Sequence, residues 1–296
     1  MITVLKQHFT SKNLGFLFKT LMSVGMLLFL FFKVDFSVFK NLNWSIIPML
    51  LLGLIITLSA LALMTCRWKV LTNTLNIKAD FKNLYVYYLK GSFFNIFLPG
   101  AIGGDIIRTR ELITKYQANT KTATIITVVE RVAGLYTLGI LGSLGIIFIE
   151  LPTGLNFKTV LPAYVWYTLP TLAFACIPVV KWIINKKVNI GYKTILPTLI
   201  LSLLGQMGDI LIAFSFVLFF DLPIGFEQFL VIMPVVYIAT VLPISLGGLG
   251  VREGTVVGIL AFYGVDTSLA IMISFLMYFV KVLLAFVGWL FYISTK

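Results

Sequence analysis

Hydrophobic residues fall along this chain in long runs separated by short polar stretches. Leu14 to Phe32, Ser45 to Cys66, Ala123 to Ile149, Val160 to Val180, Ile195 to Phe220 and Thr267 to Tyr292 are each close to the length that carries a helix through bilayer hydrocarbon, roughly 20 residues. Six spanning helices are therefore expected. Two further apolar stretches break the pattern. Leu84 to Leu98 is short, holds Lys90 at its middle and runs into Pro99-Gly100, after which Asp105 to Tyr116 is too polar to cross. Phe226 to Tyr263 is interrupted in the same way at Pro243. Both interruptions share one spelling, L-P-x-x-x-G-G-x-x-x-R, from Leu98 to Arg108 and again from Leu242 to Arg252, 144 residues apart in a chain of 296. Two related halves, about 1–150 and 151–296, are expected within a single membrane domain, 1–296.

The placement of lysine and arginine orients these elements. With the first interrupted stretch dipping in and returning to one side, seventeen basic residues, among them Arg67, Lys90 and the cluster Lys181 to Lys193, share a face and only Lys33, Lys40 and Lys158 fall on the other. Basic residues accumulate on the cytoplasmic side, so both termini are expected in the cytoplasm, in a cytoplasmic (inner) membrane. The second interrupted stretch is flanked by Asp221, Glu227 and Asp266 and enters from the outer side. Three crossings per half turn the second half upside down relative to the first. The expected fold is an all-α polytopic membrane protein, an inverted-topology repeat of six transmembrane helices plus two broken re-entrant hairpins from opposite faces.

Composition agrees and excludes several classes. The chain is 59% hydrophobic and 11% charged, against about 25% charged in soluble domains. A net charge of +12 would suggest nucleic acid in a soluble protein, but here it sits in short loops and marks topology and anionic headgroups. No small-residue cleavage site follows the first run, so that run is expected to stay in the membrane. His8 is the sole histidine, and Cys66 and Cys176 have no ligand spacing, so neither a metal nor a cofactor is expected. No G-x-x-x-x-G-K-[ST] phosphate loop is present, which argues against ATP as the energy source.

Candidate chemistry gathers at the two interruptions. Gly103 and Gly104, with Gly247 and Gly248, leave backbone amides uncovered at the start of a half-helix, where an anion is favoured. Arg108 and Arg252 follow about one turn later, placed to fork onto a phosphate. The alternative is a break that merely permits close packing, with Arg108 paired to Glu111 and Arg252 to a neighbouring acid. Ionisable residues inside apolar runs cost ~2.5 to 3.5 kcal/mol each at the bilayer centre, so Glu130, Arg131, Asp209 and Lys281 are expected to face the interior with partners. Glu130 is matched to a hairpin arginine, and Asp209 to Lys281 as an ion pair or coupling site. Lys90 is expected to snorkel. Tyr87 and Tyr88 read as interfacial or packing aromatics, and Asn95 as a residue that could line the hairpin tip.

Phe94-Asn95-x-x-Leu98-Pro99-Gly100-x-x-Gly103-Gly104-Asp105-x-x-Arg108, then Glu130-Arg131-Val132-x-Gly134-Leu135, then Leu246-Gly247-Gly248-x-Gly250-Val251-Arg252-Glu253 resemble the lysylphosphatidylglycerol synthase transmembrane-region family. The resemblance covers nearly the whole chain. It implies a flippase domain that carries aminoacylated phosphatidylglycerol between leaflets, with Asp105, Arg108, Glu130, Arg131, Arg252 and Glu253 along the headgroup path. Bifunctional members of the family continue into a soluble aminoacyl-transferase domain, and this chain stops at Lys296, so it is not expected to make that lipid itself. Relatives without that domain occur beside hopanoid, glycolipid and cell-envelope functions, which widens the substrate to other phosphate-bearing lipids. The expected partners are membrane phospholipids, with a lipid-synthesis enzyme and a second copy of the chain as further candidates. The rival readings are a membrane enzyme acting on phospholipid, hopanoid or polyprenyl-phosphate lipids, and a scaffold for such an enzyme. The first would call for a carboxylate cluster that the loops, with Asp80, Asp105 and Glu111, do not offer.

Overall fold

A computed structural model describes residues 44–97, 103–148, 191–241 and 250–294, with positions 25, 32 and 178 standing alone beside them. The described segments fold into α1 (Ile46–Thr74), α2 (Phe81–Phe97), α3 (Gly103–Tyr116), α4 (Thr120–Phe148), α5 (Tyr192–Phe219), α6 (Phe226–Val241), α7 (Val251–Phe262) and α8 (Thr267–Ser294). No strand occurs among the described residues. The chain is a helical membrane protein: α1, α4, α5 and α8 are 28 or 29 residues long and apolar enough to cross a bilayer. At 1.5 Å per residue each reaches about 42 Å, beyond the roughly 30 Å of hydrocarbon. The expected spans Leu14 to Phe32 and Val160 to Val180 lie outside the described residues.

The other four helices are short. With 17, 14, 16 and 12 residues, α2, α3, α6 and α7 reach only about 18 to 26 Å. They are the arms of the two interrupted stretches. The linking segments 98–102 and 242–249, which include Gly247 and Gly248, lie outside the described residues. Several helices end by turning through the left-handed region, at Asn76 (φ 61) after α1, Asp221 (φ 49) after α5 and Gly264 (φ 71) after α7.

The helix contacts come in pairs. α2 packs against α8, and α6 packs against α4. α1 touches α8 and α5 touches α4, while α2–α3 and α6–α7 form the two hairpins. A shift of 144, the spacing of the two motifs, carries α1, α2, α3 and α4 to within four residues of the bounds of α5, α6, α7 and α8 in turn. The α1–α5 contact closes over small residues: a Cβ on Gly208 would come within 2.8 Å of Ala60, and one on Gly205 would collide with Met64.

Two buried apolar clusters flank this contact. Trp68, Leu71, Leu84, Leu112, Ile126 and Leu199 make one around the first hairpin. Phe216, Phe229, Met233, Val236, Leu260 and Ile273 make the other around the second. Leu51, Ile55, Leu196, Ile200, Phe279 and Phe286 point outward, as helices solvated by lipid allow.

Candidate functional site

Glu130 is the hub of the first hairpin's charged centre. It projects from the middle of α4 and is 2% exposed. Its Oε1 accepts hydrogen bonds from Arg67 Nε (3.2 Å), Arg67 Nη2 (3.0 Å) and the Tyr88 hydroxyl (2.7 Å), and its Oε2 accepts from Arg108 Nη1 (3.1 Å). Charge-assisted bonds of this kind are among the strongest a protein makes. A second carboxylate extends the network. Asp105 pairs with Arg108 three residues on, and its Oδ2 accepts from Arg131 Nε at 2.7 Å. Arg108 also lies over the faces of Tyr88, 3.9 Å from the ring centroid, and Trp68, 5.0 Å away.

Helix periodicity gathers these groups. On α3 the buried residues Gly103, Gly104, Arg108 and Leu112 form one stripe against α2. Asp105 stands off that stripe, in the first turn, where the helix dipole favours a carboxylate. On α4, Glu130 and its neighbour Arg131 are about 100° apart and face different ways. Glu130 turns into the bundle, whereas the Arg131 side chain is 41% exposed beside Asp105. Between α3 and α4 a cleft of about 540 Å³ opens next to this pair, lined by Arg110 and Arg131, by Thr109, Thr124 and Thr127, and by apolar Ile106, Ile113 and Val128.

Several expectations are corrected here. The Gly104 amide is not open to an anion, because it donates to Asn95 Oδ1 at 2.6 Å. Gly104 instead permits a close crossing, since a Cβ there would stand 2.7 Å from the Gly91 carbonyl oxygen. Glu111 does not meet Arg108; it faces Lys90, 3.8 Å away. Lys90 is buried, not snorkelling. Arg67, counted among the loop charges, lies inside α1 and is buried, its Nη1 donating to Ser202 Oγ on α5 at 2.9 Å. Tyr88, read as a packing aromatic, is a hydrogen-bond donor to the hub. Arg67 could have been found by continuing the helical period past Cys66, for Trp68, Leu71 and Thr72 extend the buried face of α1. The Tyr88 hydroxyl carries no such signal, and Ser202 shows only as one step of a polar stripe, Thr194, Thr198, Ser202 and Gln206, along α5.

The second hairpin builds a different centre. Glu253, 1% exposed, accepts from the Gly250 amide (2.6 Å) and from Arg252 Nε (3.1 Å). The Arg252 guanidinium lies 4.6 Å from the centre of the Tyr278 ring on α8. Lys281 on α8 reaches Asp209 Oδ1 on α5 at 3.6 Å and donates to the Tyr237 hydroxyl on α6 at 3.2 Å. A shift of 144 takes Arg108 to Arg252 but Arg67 to Leu211 and Glu130 to Ser274, so Arg252 lacks counterparts of the groups that hold Arg108.

Helices long enough to span, short helices paired into hairpins and arginines sunk among carboxylates define a polytopic membrane protein with charged centres inside its bundle. The chain belongs to the family described as lysylphosphatidylglycerol synthase TM region, whose model matches residues 16–288. No curated protein matches it.

Proposed function

We propose that this protein moves an anionic or aminoacylated phospholipid, or a related phosphate-bearing lipid, between the leaflets of the cytoplasmic membrane. The observation that carries the proposal is the α3–α4 cleft beside the first charged centre. Its two arginines suit a phosphate, its threonine hydroxyls being already bonded within the protein, and its apolar wall suits the first carbons of an acyl chain. Asp105 stands where a lipid phosphate would go, paired with both Arg131 and Arg108. A phosphate arriving at Arg131 exchanges one oxyanion for another, so the guanidinium keeps a counterion throughout. Glu130 keeps Arg108 and Arg67 in place during the exchange.

The paired helix contacts support an inverted repeat, and the placement of lysine and arginine along the sequence supports both termini in the cytoplasm and hairpins entering from opposite faces. Two similar halves of opposite orientation give two conformations of comparable energy, one open to each leaflet, which is what alternating access requires. The family membership is compatible with this reading.

The test is reconstitution into liposomes carrying headgroup-labelled phosphatidylglycerol, its lysyl ester or a polyprenyl phosphate, read as the rate at which label crosses to the other leaflet. Wild-type protein should accelerate crossing of at least one lipid over protein-free vesicles. Arg131→Gln should slow it by roughly ten- to a hundredfold, the loss of one hydrogen-bonded charge contact of ~1.5 to 3 kcal/mol. Because Arg131 is largely exposed, this variant should melt within a few degrees of wild type. Equal rates with and without protein for all three lipids would refute the proposal.

A further inference from the structure

The ion pair of the second centre differs from the hub of the first in ways that a purely structural pair does not need. Glu130 is sealed and has a donor on every side. Asp209 and Lys281 are each about one third exposed, at 33% and 35%, and stand 3.6 Å apart, too far for a good hydrogen bond. Yet Asp209 lies well inside α5, a spanning helix, where a charged side chain is costly. An accessible carboxylate at such a depth is one that a proton can reach and neutralise.

A polar stripe runs toward it on the same helix, its Thr198 and Ser202 hydroxyls donating to α5 carbonyls. Thr194, Thr198, Ser202, Gln206 and Asp209 follow at intervals of four, four, four and three, one polar stripe along an otherwise apolar span. Ser202 meets Arg67 of the first centre. Gln206 donates through Nε2 to the Gly134 carbonyl at 2.7 Å, and its buried Oε1 has no hydrogen-bond partner among the described residues. An acceptor left open between two charged centres is a place for a water or a passing proton.

We propose that Asp209 is a proton-binding site that couples a proton gradient to lipid movement, the proton entering with an anionic headgroup. This rests on the lipid-transport reading above and adds its driving force. The groups that face Asp209 are Lys281 from α8, Tyr237 from α6 and, beyond Tyr237, Arg252 from α7 with its partner Glu253. Arg67 of α1 and its partner Glu130 of α4 approach α5 at Ser202, about two turns away. With Asp209 ionised, Arg252 and Lys281 are balanced by Asp209 and Glu253. Protonation of Asp209 leaves one uncompensated positive charge at the second hairpin, and an anionic headgroup restores neutrality. Proton and anion therefore favour each other's binding by the same factor. Protonation also loosens Lys281, which holds Tyr237 and with it the first arm of the hairpin.

The experiment imposes one pH unit across liposomes containing labelled phosphatidylglycerol and reads the final leaflet ratio. One proton per lipid shifts that ratio up to tenfold, the equivalent of one pH unit. Asp209→Asn, which keeps the shape of the side chain, should still exchange lipid but finish at the gradient-free ratio. A wild-type ratio indifferent to pH, one that follows a sodium gradient instead, or an Asp209→Asn ratio that responds like wild type would overturn the proposal. A second measurement does not depend on lipid movement and so separates this failure from failure of the transport reading. In nanodiscs, acidification should raise a protonated-carboxyl infrared band that Asp209→Asn lacks, and phosphatidylglycerol should move its midpoint to higher pH. A band unchanged by the substitution, or a midpoint unmoved by the lipid, counts against it.

Discussion

Replacing Glu130 with alanine should destabilise the protein by ~3 to 5 kcal/mol, the cost of leaving buried charges without their counterion. The substitution removes one carboxylate but strands three donors: Arg67, Arg108 and the Tyr88 hydroxyl all end on it. Arg108 retains Asp105 and the faces of Tyr88 and Trp68, whereas Arg67 retains only the neutral Ser202 hydroxyl among the contacts described above. Most of the loss is therefore expected to arise at Arg67. This gives a specific check by thermal melting in detergent. Arg67→Met with Glu130→Ala should melt well above the sum of the two single effects, because the double variant removes the charge that the single variant leaves unpaired. Glu130→Gln should fall between wild type and alanine, since an amide oxygen still accepts from one arginine but supplies no charge. Strict additivity of the two substitutions would mean that the Arg67–Glu130 contact does not carry the energy assigned to it.

The same centre shows what can be read from a sequence of this kind and what cannot. A carboxylate in the middle of an apolar run must find a cation, so Glu130 implies an arginine partner, and the repeated hairpin motif supplies Arg108. Asp209 and Lys281 meet for the same reason, being ionisable residues alone in separate spans. Length against bilayer thickness separates spans from half-helices, and α2, α3, α6 and α7 fall on the short side. Arg67 escapes because a hydropathy window stops at the first charge after an apolar run, at Cys66, while the helix continues to Thr74. The signal that survives there is periodicity. The role of Gly104 escapes for a different reason: a glycine with an exposed amide and a glycine pressed on another backbone have the same spelling, and only the position of Asn95 and Gly91 distinguishes them.

Where hairpins meet spans, glycine makes the contact possible, and here the second large effect is expected. A Cβ placed on Gly288 of α8 would fall on the Leu89 carbonyl oxygen of α2, with the carbonyl carbon only 2.8 Å away. Backbone cannot swing aside as a side chain can, so Gly288→Ala must push α2 off α8, at ~1 to 3 kcal/mol for overpacking. α2 is the arm that carries Tyr88 to Glu130 and Asn95 to Gly104, so this displacement reaches the charged centre and should lower both the melting temperature and the rate of lipid crossing. The reciprocal contact predicts the same for the other hairpin. A Cβ on Gly145 of α4 would lie 2.7 Å from both Leu230 Cβ and Val231 Cγ2 and 2.8 Å from the Leu230 carbonyl carbon of α6. Gly142, one turn earlier on the same face of α4, supplies the control: a Cβ there meets Pro234 at 3.5 Å, an ordinary contact. Gly142→Ala should leave both stability and lipid crossing close to wild type. Equal tolerance of alanine at all three positions would show that the hairpin arms are not seated on the spans of the opposite half. Loss confined to Gly288 and Gly145 would show that each hairpin arm depends on its seat against a spanning helix, α2 on α8 and α6 on α4.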